Sequence, residues 1–164
     1  MDINTLFHEA LLAQAAYADL EANLTDEDII TKLQNDDFVG GVTQAQAKYF
    51  IDHFKVVQQD NNPETGFSAT LFQEIKEDGE LGEYHLATRG SAPPPSWDLD
   101  FNVDWTGANL QNYSWGMAYD QVADLINFYL RLTTPTTKPV KNNAAQFKFE
   151  KVTLEPCELL RKAA

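Results

Sequence analysis

The chain has 164 residues, a hydrophobic fraction of 43% and a formal net charge of −13. A chain of that length and apolarity buries roughly 70% of its extended-chain surface, which excludes intrinsic disorder. Its acidity argues against nucleic acid as a partner, because phosphate contacts need a basic patch.

Residues 4–20 carry apolar side chains at helical spacing. Phe7, Leu11, Ala15 and Ala18 form one stripe, with Leu12 and Ala16 beside it. Asn4 is the expected N-cap. Thr25-Asp26-Glu27-Asp28 opens a second short helix whose first-turn acids suit the helix dipole, and Gly40-Gly41 ends that region. Thr43 and Gln46 have the spacing of a capping box. They open a third helix running to about His53, with Ala47, Phe50 and Ile51 inward. Residues 1–53 therefore read as a helical covering layer.

Phe54–Gln58 is short and β-prone, and Asp60-Asn61-Asn62-Pro63-Glu64-Thr65-Gly66 is a turn cluster by composition. Phe67–Ile75 reads as a strand, Lys76–Gly82 as a charged loop with glycines at positive φ, and Glu83–Thr88 as the partner strand. Together they make an antiparallel hairpin. From Trp97 to Trp105 aromatic and aliphatic residues alternate with acids and Asn102. That is either a half-buried strand or an ordered loop laying aromatics over a sheet end. Gly107–Trp115 is loop-like. Gly116–Leu132 is the strongest helical pattern, with Ala118, Val122, Leu125, Ile126 and Tyr129 expected to pack on a sheet face. The two prolines in Thr133–Pro139 end it. Residues 140–146 read as a polar linker, and Phe147–Leu154 alternates as a terminal strand expected at a sheet edge.

Few side chains point to chemistry. Cys157 is the only cysteine, so no internal disulfide forms and a zinc cluster is not expected. The three histidines, His8, His53 and His85, share no metal-binding spacing. Asp98-x-Asp100-x-Asn102-x-Asp104 imitates the opening of a calcium loop, but Val103 stands where the turn glycine belongs and no closing glutamate follows. Gly66-Phe67-Ser68-Ala69-Thr70 starts like a nucleophile elbow, yet Thr70 replaces the second glycine, so Ser68 reads as a strand residue. Arg89-Gly90-Ser91 is different. A serine just past a strand end offers a backbone N–H and a hydroxyl to an oxyanion, and Gly90 lets substrate approach the backbone closely.

The ordered set Gly66–Phe72, Gly82–Ser91 and Asp98–Phe101, with Ala15-Ala16-Tyr17 before it and Gln121–Leu125 after it, resembles the N-terminal half of bacterial lipases of the class 3 type. Those enzymes are α/β-hydrolases, and the resemblance spans roughly residues 8–132. It implies an α/β fold with an incomplete hydrolase-like sheet, an antiparallel hairpin and helices on the sheet faces. Truncation shifts that class toward α+β. It also implies that Ser91 is the oxyanion-hole residue, that Gly90 and Trp97 contact substrate, that no metal or cofactor is used, and that the parent enzyme takes a lipid or ester substrate.

The sequence departs from that family in one decisive respect. It contains no G-x-S-x-G elbow, and residues 140–164 hold no serine. Thr88 also replaces the usual aromatic residue before the arginine, and Pro93-Pro94-Pro95 crowd the loop. The expectation is an N-terminal fragment of a lipase-like or esterase-like serine hydrolase, inactive alone. The alternative is a non-catalytic acidic binding module that uses the aromatic-rich 97–119 segment. Residues 1–164 are expected to form a single domain, or the N-terminal part of one. Its parts are a helical layer (1–53), a hairpin, oxyanion loop and helix (54–132), and a linker with a terminal strand (133–164). A sheet cut before its nucleophile strand leaves an edge for a homodimer or a missing C-terminal segment to cover. The N-terminus has no basic, apolar signal and no stretch reaches the ~20 apolar residues of a membrane span. A cytoplasmic protein, or one exported without a cleaved N-terminal signal, is expected.

Overall fold

The structure, a computed structural model, describes residues 2–35, 41–90, 113, 118–134, 140–141 and 153–154. The chain divides into two compact units, Met1–Asn61 with Ser68–Pro93, and Asn62–Phe67 with Pro94–Ala164. Helices and a three-stranded antiparallel sheet give the described residues a mixed α/β content.

The first unit opens with helices α1 (Ile3–Ala15), α2 (Asp26–Gln34) and α3 (Gln44–His53). The N-cap of α1 is Asp2, not Asn4, and its side chain makes no capping bond. Helix starts there because the Leu6 N–H already reaches the Asp2 carbonyl at 3.1 Å. Leu11, Leu12, Ala15, Ala16 and Ala18 are buried as the spacing requires, but Phe7 remains 39% exposed. It lies edge-on to Tyr49, with centroids 5.2 Å apart, rather than in the core. The helix also stops well before residue 20. Tyr17 and Ala18 donate to Gln14 and Ala15 in i→i−3 bonds that tighten and end it.

Helices α2 and α3 are framed by their caps. The Thr25 hydroxyl accepts from the Asp28 N–H at 3.2 Å, and the Thr43 hydroxyl accepts from the Gln46 N–H at 3.3 Å. The reciprocal bonds to Asp28 and Gln46 complete both capping boxes.

Strands β1 (Phe54–Asn62), β2 (Phe67–Ile75) and β3 (Leu81–Thr88) lie in the order β1-β2-β3. β1 runs four residues beyond Gln58, so Asp60, Asn61 and Asn62 are strand rather than turn. Their turn-like composition yields to the hydrogen bonds β2 offers. The true turn is Pro63–Gly66, closed by Gly66 at φ +72°. The β2–β3 hairpin is antiparallel as the alternation requires, with Thr70 opposite Ala87 and Phe72 opposite His85. Gly79 at φ +80° makes its turn, while Gly82 needs no positive φ and sits beside an irregularity between Gln73 and Ile75.

The core of this unit forms where helices meet sheet. Leu12, Leu20, Leu33, Ala47, Phe50 and Phe72 are fully or almost fully buried in one cluster. Phe50 of α3 and Phe72 of β2 meet edge-on, with centroids 5.6 Å apart at 87°.

In the second unit α4 (Tyr119–Thr133) buries Ala123, Asn127, Phe128 and Leu132. This corrects the stripe read from sequence: Ile126 and Tyr129 are 44% and 56% exposed. Apolar residues surround this helix, so spacing alone does not choose the buried side. Strands β4 (Val140–Lys141) and β5 (Thr153–Leu154) pair antiparallel in a sheet of their own. The described end of the terminal strand thus does not join the three-stranded sheet. Its partner comes from the stretch read as linker, where loop closure is short and cheap. Residues 97–105, read as strand or loop, lie outside the described residues. No described helix is long and apolar enough to cross a membrane.

The Phe50–Phe72 contact sets a test of the core. Phe50→Ala and Phe72→Ala are each expected to cost about 3–5 kcal/mol. Urea denaturation of the double variant should show a loss smaller than the sum, because both remove one shared contact.

Candidate functional site

The end of β3 is the place the sequence singles out, and its local hydrogen bonding explains its shape. Beyond Thr88 the ladder gains one more bond, from the Arg89 N–H to the Ser68 carbonyl at 2.9 Å. Gly90 follows at once and is exposed. A Cβ on Gly90 would stand 2.4 Å from the Tyr17 hydroxyl oxygen and 3.5 Å from the ring carbon bearing it. A side chain at this position would make the Tyr17 ring shift, so what the glycine answers is a close approach and not a positive φ. Tyr17 comes from the tight turn that ends α1. The fold thus brings together the Ala15-Ala16-Tyr17 and Arg89-Gly90 stretches, which are more than seventy residues apart in sequence. Ser91 and Trp97, the other two residues read as a site, lie outside the described residues, as does the Asp98–Asp104 segment.

Ser68 is a strand residue, 2% exposed. Its hydroxyl accepts a 3.4 Å bond from Gln59 Nε2, a partner that cannot act as a general base. That geometry matches its reading as structural.

The three histidines, unrelated by spacing, are gathered on one side of the first unit. His8 Nε2 and the Tyr49 hydroxyl share a 2.7 Å hydrogen bond. His53 stacks on Tyr49 with centroids 3.8 Å apart, and its Nδ1 lies 2.9 Å from the Tyr49 carbonyl. Phe54 receives both His8 and His85 edge-on, at 5.2 and 5.9 Å. His85 Nδ1 is 3.4 Å from Glu9 Oε1. This cluster joins α1, α3, β1 and β3. Its ring contacts and hydrogen bonds, with one carboxylate at its border, brace these elements against one another. Sequence reasoning missed it, although one signal was present: alternation with Ala87 turns His85 toward the helical layer. Among the described residues no group of three or more His, Cys, Asp or Glu side chains is arranged to hold a metal ion.

Among the described residues, the carboxyl whose ionisation the fold clearly disfavours is Asp124, in the second unit. Burial pushes the Asp124 pKa up, hydrogen bonds from Thr65 and Asn62 partly oppose this, and the charges of Asp120 and Glu64 add to it. Sequence spacing gave no sign of it, because the donors come from the last residue of β1 and from the β1–β2 turn, about sixty residues away.

The Gly90 contact makes a specific prediction. Gly90→Ala is expected to destabilise the protein by about 1–3 kcal/mol through overpacking. In a Y17F background the same change should cost much less, since the nearest atom is then a ring carbon at ordinary contact distance. Denaturation midpoints of the four proteins measure this, and an equal penalty in both backgrounds would contradict the contact.

No protein-family model, no curated protein and no solved structure matches this chain.

Proposed function

We propose that this chain carries the oxyanion-side scaffold of a lipase-like serine hydrolase acting on carboxylic esters. The observation that carries the reading is the Gly90–Tyr17 contact. Two separate stretches of the lipase resemblance meet there, at the end of a strand that already bears the family's Arg-Gly-Ser order. The antiparallel hairpin of β2 and β3 and the helices beside it agree with an incomplete α/β-hydrolase sheet.

The chemistry follows from the residue types. In acyl transfer the carbonyl oxygen becomes an oxyanion, and donors fixed before reaction stabilise it by several kcal/mol. On this reading the Ser91 backbone N–H and hydroxyl are those donors. Gly90 gives the ester room to reach them, and Trp97 supplies apolar surface for the substrate. No metal or cofactor enters. These 164 residues contain no G-x-S-x-G elbow, so on this reading the chain alone forms no acyl-enzyme.

Ester hydrolysis and amide NMR test the proposal together. The chain is expected to show no turnover of a p-nitrophenyl ester, while ethyl butyrate shifts the Gly90 and Ser91 amide resonances. Turnover that survives Ser91→Ala but vanishes on changing another serine would overturn it. So would ester-induced shifts confined to other parts of the chain.

A further inference from the structure

The turn between β1 and β2 is tied to α4 by side chains that converge on one carboxyl oxygen. Asn62 Nδ2 donates to Asp124 Oδ2 at 3.0 Å, and the Thr65 hydroxyl donates to the same oxygen at 2.5 Å. A third tie runs the other way, from Gln121 Nε2 to the Thr65 carbonyl at 3.1 Å. The turn is shaped in advance to present these groups. The Glu64 N–H donates to Asn62 Oδ1 at 3.0 Å, the Thr65 N–H to the Asn62 carbonyl at 3.2 Å, and the Phe67 N–H to the Thr65 hydroxyl at 3.3 Å.

Among the described residues, the charged groups that act on Asp124 are two acids. Asp120 lies one turn earlier on α4, and Glu64 projects from the turn itself. Attraction and repulsion therefore share one joint. Both hydrogen bonds use Oδ2, so a proton taken up on Oδ1 displaces neither.

We propose that Asp124 is a proton-operated latch between the β1–β2 turn and α4. Proton uptake weakens the two hydrogen bonds without displacing them, but it relieves the larger cost of a half-buried charge and removes the repulsion from Asp120 and Glu64, so turn and helix tighten. Ionisation loosens them. The direction agrees with the carboxyl's behaviour in the fold, since burial, its largest influence, raises its pKa above the ordinary aspartate value. A raised folded pKa means the latch's contribution is fully present below the unfolded value. It is lost as pH rises through the folded value. The latch is independent of the hydrolase reading and stands whether or not that reading holds.

Amide hydrogen exchange on the intact chain tests it at neutral pH, where Asp124→Asn reproduces the protonated carboxyl without acidifying other groups. Protection of the Glu64–Phe67 amides is expected to rise at least about twofold in D124N. Unchanged or reduced protection in a folded variant would overturn the proposal. Glu64→Gln provides a second arm, because Glu64 is exposed and its replacement leaves packing intact. The Asp124 carboxyl, followed by carbon NMR, should then titrate at lower pH than in the unsubstituted protein. A midpoint that does not move would count equally against the latch.

Discussion

Strand β2 is buried along Phe67–Gln73, seven consecutive residues, and most of the first unit follows from that. A strand covered on both faces has to be central, with a neighbour on each edge to satisfy its backbone. β1 and β3 are those neighbours. The register then sets which β3 side chains turn toward the helical layer. Phe72 opposite His85 and Thr70 opposite Ala87 put His85 and Ala87 on that side, while Tyr84, Leu86 and Thr88 stay exposed. A shift of one residue would reverse every one of these assignments. It would move His85 away from Phe54 and Glu9 and break the ring cluster that ties α1 to the sheet.

The same register delivers the end of β3 to a defined place. Arg89 stays bonded to Ser68, so the chain cannot diverge before Gly90, and there it runs against Tyr17. Tyr17 is available only because α1 ends at Ala15 and turns tightly. A longer helix, as the alanine-rich sequence invites, would carry that ring elsewhere. The proposed oxyanion scaffold thus depends on a helix terminus as much as on the strand it lies beside.

The rotation of α4 follows a different rule. Asp124 lies at the middle of its buried arc, flanked on the helical wheel by Ala123, Asn127 and Phe128, while Val122, Ile126 and Tyr129 occupy the opposite side. The aliphatic stripe is the more hydrophobic, and it loses. Two hydrogen bonds from the β1–β2 turn anchor Asp124. A half-buried acid with its donors in place fixes the rotation, because turning it elsewhere would leave those donors without their acceptor.

What the sequence determined by itself was local. The capping boxes at Thr25 and Thr43, the third helix to His53, the Phe67–Ile75 strand and its antiparallel hairpin are written in residues three to twenty positions apart. Their hydrogen bonds close within the same segments. The Arg-Gly-Ser end of β3 was legible in the same way, as a glycine and a serine placed just past a strand. Tertiary structure decided what required distant partners. It placed Tyr17 against Gly90, gathered three histidines that no spacing relates, drew Asp60–Asn62 into β1 and chose the buried side of α4. Each of these is a contact between segments far apart in the chain, where several local solutions cost nearly the same and the one that satisfies a buried polar group or fills the core prevails.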